Sequence, residues 1–288
     1  MPGATAARIV SSLEFKLLGG VMKSLAVFTI AFLTAGVVVA FAQTDVAPGD
    51  KLRAAYLSTN PAQSSRNLQT GEIRGASFDL ATELARRIGK SLDFIPIGSP
   101  PAVIEAVKGG EADIGFVAYE ATRVGTVEFS QTYMLVQQSF LVPGDSPMHA
   151  VADVDRAGQK IGGTRNDSMM LCLKRVLKQA APVELDNNSD VLIKALMDRQ
   201  IDALGANRQR LTTLMKDVPG SRLLSDNLFN VPQNIVVPKD HKAALTAVDA
   251  FIDDVRASGF LAKAIADGGA VGVEPASKSP GSQHGCPG

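Results

Sequence analysis

The side chains able to do covalent or metal chemistry are few and scattered in this 288-residue chain. His149, His241 and His284 stand far from one another, and only His284 has a thiol nearby, Cys286. A metal site needs several converging ligands, so no metal is expected. No G-x-S-x-G elbow, phosphate-binding loop or dinucleotide fingerprint occurs, so neither a cofactor nor a nucleophilic mechanism is expected. Asp113 and Asp202 recur in two matching phrases, IEAVKGGEADIGF at 104–116 and IKALMDRQIDALG at 193–205. Each lies in a helix-to-strand turn, at the strand's amino end, where a carboxylate ties turn backbone together. Arg123 is placed differently. It follows the apolar run DIGFVA, at that strand's carboxyl end. Its guanidinium is a planar fork that suits a carboxylate, so the chemistry implied is the holding of an anion.

The repeated phrase fixes the elements around these residues. Ile104 corresponds to Ile193, Ala106 to Ala195 and Asp113 to Asp202 at one constant offset. A repeated helix–turn–strand unit implies two halves built alike, with function between them. LRAAYL, LDFIPI, DIGFVA and SFLVP read as strands in the first half, and QKIGGT and IDALGA in the second. Ser77 is expected to cap a helix over 78–88, Ser99 with Pro100 starts a second, and Asn166 or Asp167 caps a third. Ser189 opens a fourth, and 247–258 is a last amphipathic helix. This β-α-β order predicts an α/β protein of two lobes, each a mostly parallel sheet flanked by helices. The second lobe is complete near Pro232, so NIVVP and the last helix return to the first lobe. The expected division is 51–142 plus 233–270 for lobe one and 143–232 for lobe two. A two-segment hinge then crosses near Pro143 and near Gln233. Strand carboxyl ends from both lobes would face a common cleft.

The two ends read differently from the core. From Met22, a plausible start, Lys23 precedes an apolar run closing on Ala-Phe-Ala at 40–42. Residues 1–42 therefore read as an export signal with an upstream extension, and a periplasmic location follows. Residues 271–288 are rich in Pro, Gly and Ser and are expected to be disordered, leaving Cys172 and Cys286 as free thiols. Basic and acidic residues balance at 29 each, which argues against nucleic acid as partner.

Three motifs, GASFDLATEL at 75–84, KGGEADIGF at 108–116 and TRVGTVEFSQTY at 122–133, resemble the extracellular solute-binding proteins typified by polar amino-acid importers. The resemblance spans about residues 51–268. It implies a periplasmic-binding-protein fold of the Venus-flytrap kind (type II), and capture of a small solute for the membrane permease of an ABC importer. It implies a monomer with no cofactor. In that family the Arg before V-x-F-S clamps the ligand carboxylate, which carries the role to Arg123. The second lobe's contribution falls on Asn166, Asp167 and Ser168. Where the family has an acid for a ligand ammonium, this chain has Asn207, followed by Arg208. Asn60 and Gln63 replace an early aromatic segment, and Tyr119 stands at the rim. Without the acid, a buried ammonium would be costly, so a small organic anion is expected before an amino acid. The alternatives are a dehydratase-type enzyme on the same fold, with Glu120 as general acid, and a soluble sensory module.

Overall fold

The computed structural model describes residues 46–278 and 285–287. The export signal expected over 1–42 lies outside the described residues. In chain order the elements are β1 (Lys51–Leu57), β2 (Ser65–Arg66), β3 (Ile73–Arg74), α1 (Ala76–Arg87), β4 (Ser91–Ile97), α2 (Pro100–Lys108), β5 (Ile114–Ala118) and β6 (Val127–Val142). Then come β7 (Lys160–Thr164), α3 (Ser168–Val176), β8 (Ala181–Leu185), α4 (Ser189–Met197), β9 (Ala203–Asn207) and α5 (Arg208–Leu214). The chain ends with β10 (Arg222–Leu223), β11 (Phe229–Pro238), α6 (Lys242–Ala257), α7 (Phe260–Gly268) and β12 (Val273–Pro275).

The main strand order is β4-β1-β5-β11-β6-β9-β7-β8. It is nearly palindromic in construction. β4, β1 and β5 are parallel and border antiparallel β11, while β8, β7 and β9 are parallel and border antiparallel β6. β6 and β11 pair with each other and run through both lobes. SFLVP is therefore only the end of a 16-residue strand. The first crossing falls within β6 before Gln138, whose neighbour is already Asn207 of β9. That is earlier than Pro143. The return crossing falls near Gln233, the first residue of β11 paired with β5.

The repeat has a mechanical meaning. Asp113 accepts the Arg53 backbone N–H at 2.8 Å, and Asp202 accepts the Lys160 backbone N–H at 2.7 Å. Each carboxylate thus staples its turn to the first strand of its own lobe, and Asp113 also pairs with the Arg53 guanidinium at 2.5 Å. Neither faces the cleft. Above the staples, α2 buries Val103, Ile104 and Val107 and α4 buries Leu192 and Leu196. Full burial of one such side chain stabilises by about 1.5–3 kcal/mol. Each lobe has an apolar layer on both faces of its sheet, four clusters in all among the described residues.

Ser99 caps α2 and Asp167 caps α3, accepting the Met170 N–H at 2.8 Å. Ser77 does not cap α1. Its hydroxyl bonds the Tyr133 hydroxyl at 3.0 Å, and the helix starts two residues earlier, after Gly75. The α1 N-terminus is capped instead by the loop after β1. Ser77 N–H donates to the Gln63 carbonyl at 3.1 Å, and Phe78 N–H to Ser64 Oγ at 3.1 Å. Gly75 makes this approach feasible. Its φ is +125°, and a Cβ there would lie 2.6 Å from the Gln63 carbonyl oxygen. Gly75→Ala is expected to destabilise the fold by about 1–3 kcal/mol, the cost of a residue forced into such a conformation. An unchanged urea midpoint would refute this.

The C-terminal segment departs from expectation. Val273–Pro275 pairs antiparallel with Val136 to Met134 of β6, and the Ala276 N–H donates to the Tyr133 carbonyl at 3.0 Å. Cys172 and Cys286 form a disulfide with Cα atoms 5.5 Å apart, so neither thiol is free. The physical reason is an open edge. β6 has backbone groups beyond its pairing with β9, and β12 satisfies them although the C-terminal sequence around it is rich in Pro, Gly and Ser.

Candidate functional site

The carboxyl ends of the parallel strands converge on one cavity between the lobes. Its volume is about 50 Å³. Asn60 and Gln63 follow β1, Arg123 follows β5, Asp167 and Ser168 follow β7, Asn187 follows β8, and Asn207 ends β9. Gln138 and Gln233 enter from the two crossing strands.

Arg123 is 9% exposed. Its Nη1 donates to the Ala118 carbonyl at 2.8 Å and its Nη2 to the Asn166 carbonyl at 3.0 Å, so it spans the lobes. Both partners are neutral, and burial lowers its pKa, with Glu120 and Asp167 acting against the shift. Asn166 lends this carbonyl from a left-handed backbone, φ 62°, a conformation Asn tolerates. Its side chain does not line the cavity. Asp167 does line it, yet its carboxylate is committed to the start of α3. Enclosure pushes its pKa up to about 6, against the opposing pull of the helix N–H groups, Arg210 and Arg123. The α3 N-terminus, expected to receive a ligand carboxylate, is thus already occupied by the protein's own. Ser168 Oγ and Gln63 Oε1 are buried without a hydrogen-bond partner. Unmet polar atoms facing a cavity are costly unless a ligand or water satisfies them.

Other expected residues lie elsewhere. Arg208 does not line the cavity. Its guanidinium clamps the loop before β11, reaching Asn227 Oδ1 at 2.6 Å and the Asp226 carbonyl at 3.0 Å. The cation that α5 brings to the cavity is Arg210, two residues on. Successive helical residues turn by about 100°, so 208 and 210 look in nearly opposite directions. Tyr119 packs edge-on against Phe129 and is 36% exposed. Glu120 lies near Arg175 at 3.7 Å, outside the cavity.

Arg210, Asn187, Gln138 and Gln233 are among the lining residues that escaped the sequence reading. Arg210 Nη1 donates to Asn187 Oδ1 at 2.7 Å, and Asn187 Nδ2 in turn crosses to Thr59 Oγ1 at 2.8 Å and the Gly98 carbonyl at 2.9 Å. Gln63 Nε2 donates to Gln233 Oε1 at 2.7 Å, and Gln138 lines the wall. Asn207 Nδ2 donates to Asn60 Oδ1 at 3.1 Å, another bond between lobes, while its Oδ1 caps α5 at the Arg210 N–H, 2.8 Å. Among the described residues no group of His, Cys, Asp and Glu is arranged to hold a metal.

The model of the bacterial extracellular solute-binding proteins, family 3, matches residues 52–267. The chain belongs to that family. A glutamine-binding protein of Geobacillus stearothermophilus is 26% identical over 181 residues, which is 62% of this chain and 68% of that protein. Solved structures share the fold. An amino acid ABC transporter substrate-binding protein from Streptococcus pneumoniae, bound to L-arginine, superposes with a TM-score of 0.65 at 24% identity, over 76% of this chain and 94% of that one. An ancestral amino-acid-binding protein, a precursor of cyclohexadienyl dehydratase, gives 0.63 at 20% identity, over 75% and 93%. The two-lobed fold and the extracellular family agree with the resemblance read from the three motifs.

Proposed function

We propose that this family 3 protein captures a small carboxylate-bearing solute in the interlobe cavity and delivers it to the permease of an ABC importer, acting in the periplasm as a monomer. Arg123 holds the carboxylate. The observation that carries this reading is charge. Two buried guanidiniums, Arg123 and Arg210, face one carboxylate, Asp167. Among the residues lining the cavity the guanidiniums thus exceed the carboxylate by one, and an anion neutralises the excess; Glu120, which also acts on Arg123, lies outside the lining and pairs with Arg175. An α-ammonium is not required, because Asn207 stands where an acid would receive it. With the first crossing before Gln138, residues 51–137 with 233–270 form the lobe bearing Arg123, and 138–232 the lobe bearing Asp167, Ser168 and Asn207. A solute touching both biases the hinge toward closure. Binding without turnover fits the displacement of Glu120 from the cavity.

A thermal-shift screen of short carboxylates, each with and without an α-ammonium, tests the proposal. Stabilisation by carboxylates lacking the ammonium is expected. Stabilisation by amino acids alone would overturn it. Asn207→Asp keeps the α5 cap but places a second carboxylate beside Arg210. It is expected to weaken simple carboxylates by about tenfold, some 1.4 kcal/mol, and to favour ammonium-bearing ligands. An unaltered ligand order would remove Asn207 from the site.

A further inference from the structure

We propose that Arg210 is a second anion anchor in the cavity, so that the solute is a short compound with an acidic group at each end, a dicarboxylate in chemical class. This rests on the reading of the cavity as an anion site and goes further, by naming what the second lobe holds.

Arg210 is 9% exposed, as buried as Arg123. A buried guanidinium is ordinarily matched by a carboxylate in contact. Arg210 has none. Its hydrogen bonds go to Asn187 Oδ1 and, at 3.5 Å, to Thr164 Oγ1, both neutral. Arg123 is held in the same way, by two backbone carbonyls. Each guanidinium is therefore fixed in place by acceptors that leave its charge unmet and part of its donor fork unused. The two come from opposite lobes, one after β5 and one in α5. Asp167 interacts with both at a distance, but its hydrogen bonds belong to the start of α3. One carboxylate placed against Arg123 would leave Arg210 as it is. An acidic group at the far end of the same solute meets it, and joins the lobes through two charge-assisted contacts. Ser168 Oγ and Gln63 Oε1, both without partners, are polar atoms left to the middle of such a molecule. The cavity limits its length. By the same measure one water needs about 10–15 Å³, so about 50 Å³ holds only a few such positions.

Charge balance adds an independent consequence. A dianion exceeds the single net positive charge of the cavity, and Asp167 is the group able to absorb the difference by taking a proton. The charged groups acting on Asp167 are Arg210 and Arg123, and Glu120, 3.7 Å from Arg175, acts on Arg123. His149 and His241 do not line the cavity. The pKa of Asp167 is already up to about 6, and a dianion beside it raises it further. Binding near neutral pH therefore takes up protons.

Titration calorimetry with succinate and glutarate, each against its monoamide, tests this directly on the wild-type protein. The diacids are expected to bind about tenfold or more tighter than the monoamides. Proton uptake should appear as a binding enthalpy that depends on the buffer, and Asp167→Asn, which keeps the α3 cap, should abolish the uptake. Arg210→Gln is expected to erase the diacid preference while monoamides still bind. Equal binding of diacid and monoamide would overturn the second anchor yet leave the carboxylate site standing. So would a diacid preference that survives Arg210→Gln, or binding confined to monocarboxylates. Failure of every carboxylate to bind would remove both readings. The wild-type comparison decides the matter even where Arg210→Gln fails to fold.

Discussion

Arg123→Ala is expected to abolish ligand-induced thermal stabilisation while the ligand-free protein melts near the wild-type temperature. The two halves of this expectation have different causes. Loss of a hydrogen-bonded partner to a buried charge costs about 2–5 kcal/mol of binding, so affinity should fall by roughly 30- to several-thousand-fold. The free protein loses less. Burial lowers the Arg123 pKa and outweighs the opposing pull of Glu120 and Asp167, so its removal relieves a desolvation cost. The loss is confined to two carbonyl contacts, to Ala118 and Asn166, the latter bridging the lobes. The variant should accordingly be folded, looser across the cleft and insensitive to ligand. Differential scanning fluorimetry with and without a stabilising carboxylate reads both quantities together. Ligand stabilisation as large as wild type would take Arg123 out of the site, and a collapse of the ligand-free melt would make it a structural residue.

Arg123 was legible in the sequence because its position depends on only one element. Once DIGFVA is a strand after a helix, its carboxyl end must face the cleft, and Arg123 goes with it. Arg210 was not legible, because its direction depends on helix register. Whether residue 208 or 210 looks inward is decided by where α5 begins. Asn207 sets that point by capping the Arg210 N–H. With Asn207 as the cap, residue 210 rather than 208 takes the inward face of α5. Asn187 had a weaker signal. It stands at a strand's carboxyl end in Asn-Asn-Ser, where the following Asn188 takes the capping role and leaves Asn187 free to bridge the lobes. Gln138 and Gln233 had none. They sit on the crossing strands, and their place at the cavity follows only from the register of β6 against β11 and β9. The repeat, by contrast, carried most of the fold, since Asp113 and Asp202 recur through an identical mechanical role in each lobe.

The C-terminal segment resisted sequence reading for a further reason, and it supplies the second large effect. Its composition favours disorder, but a disulfide needs only one favourable encounter, and an extracellular family works where such bonds persist. Cys172 is fully buried on α3, and its bond to Cys286 closes a loop of 114 residues. A cross-link of that span removes conformations from the unfolded chain and stabilises by about 2–4 kcal/mol. Cys286→Ser is therefore expected to lower the melting temperature by about 5–15 °C, given about 2–4 °C per kcal/mol for a chain of this size. Solute affinity should change little, because the Asp167–Met170 bond that fixes the start of α3 is local and remains. Reductant should reproduce the loss in the wild type and do nothing to the variant, which separates the bond from the side chain. Equal melting temperatures with and without reductant would mean that the segment is held by β12 pairing alone. A shift in affinity as large as the shift in stability would mean that the covalent tie reaches the solute through α3.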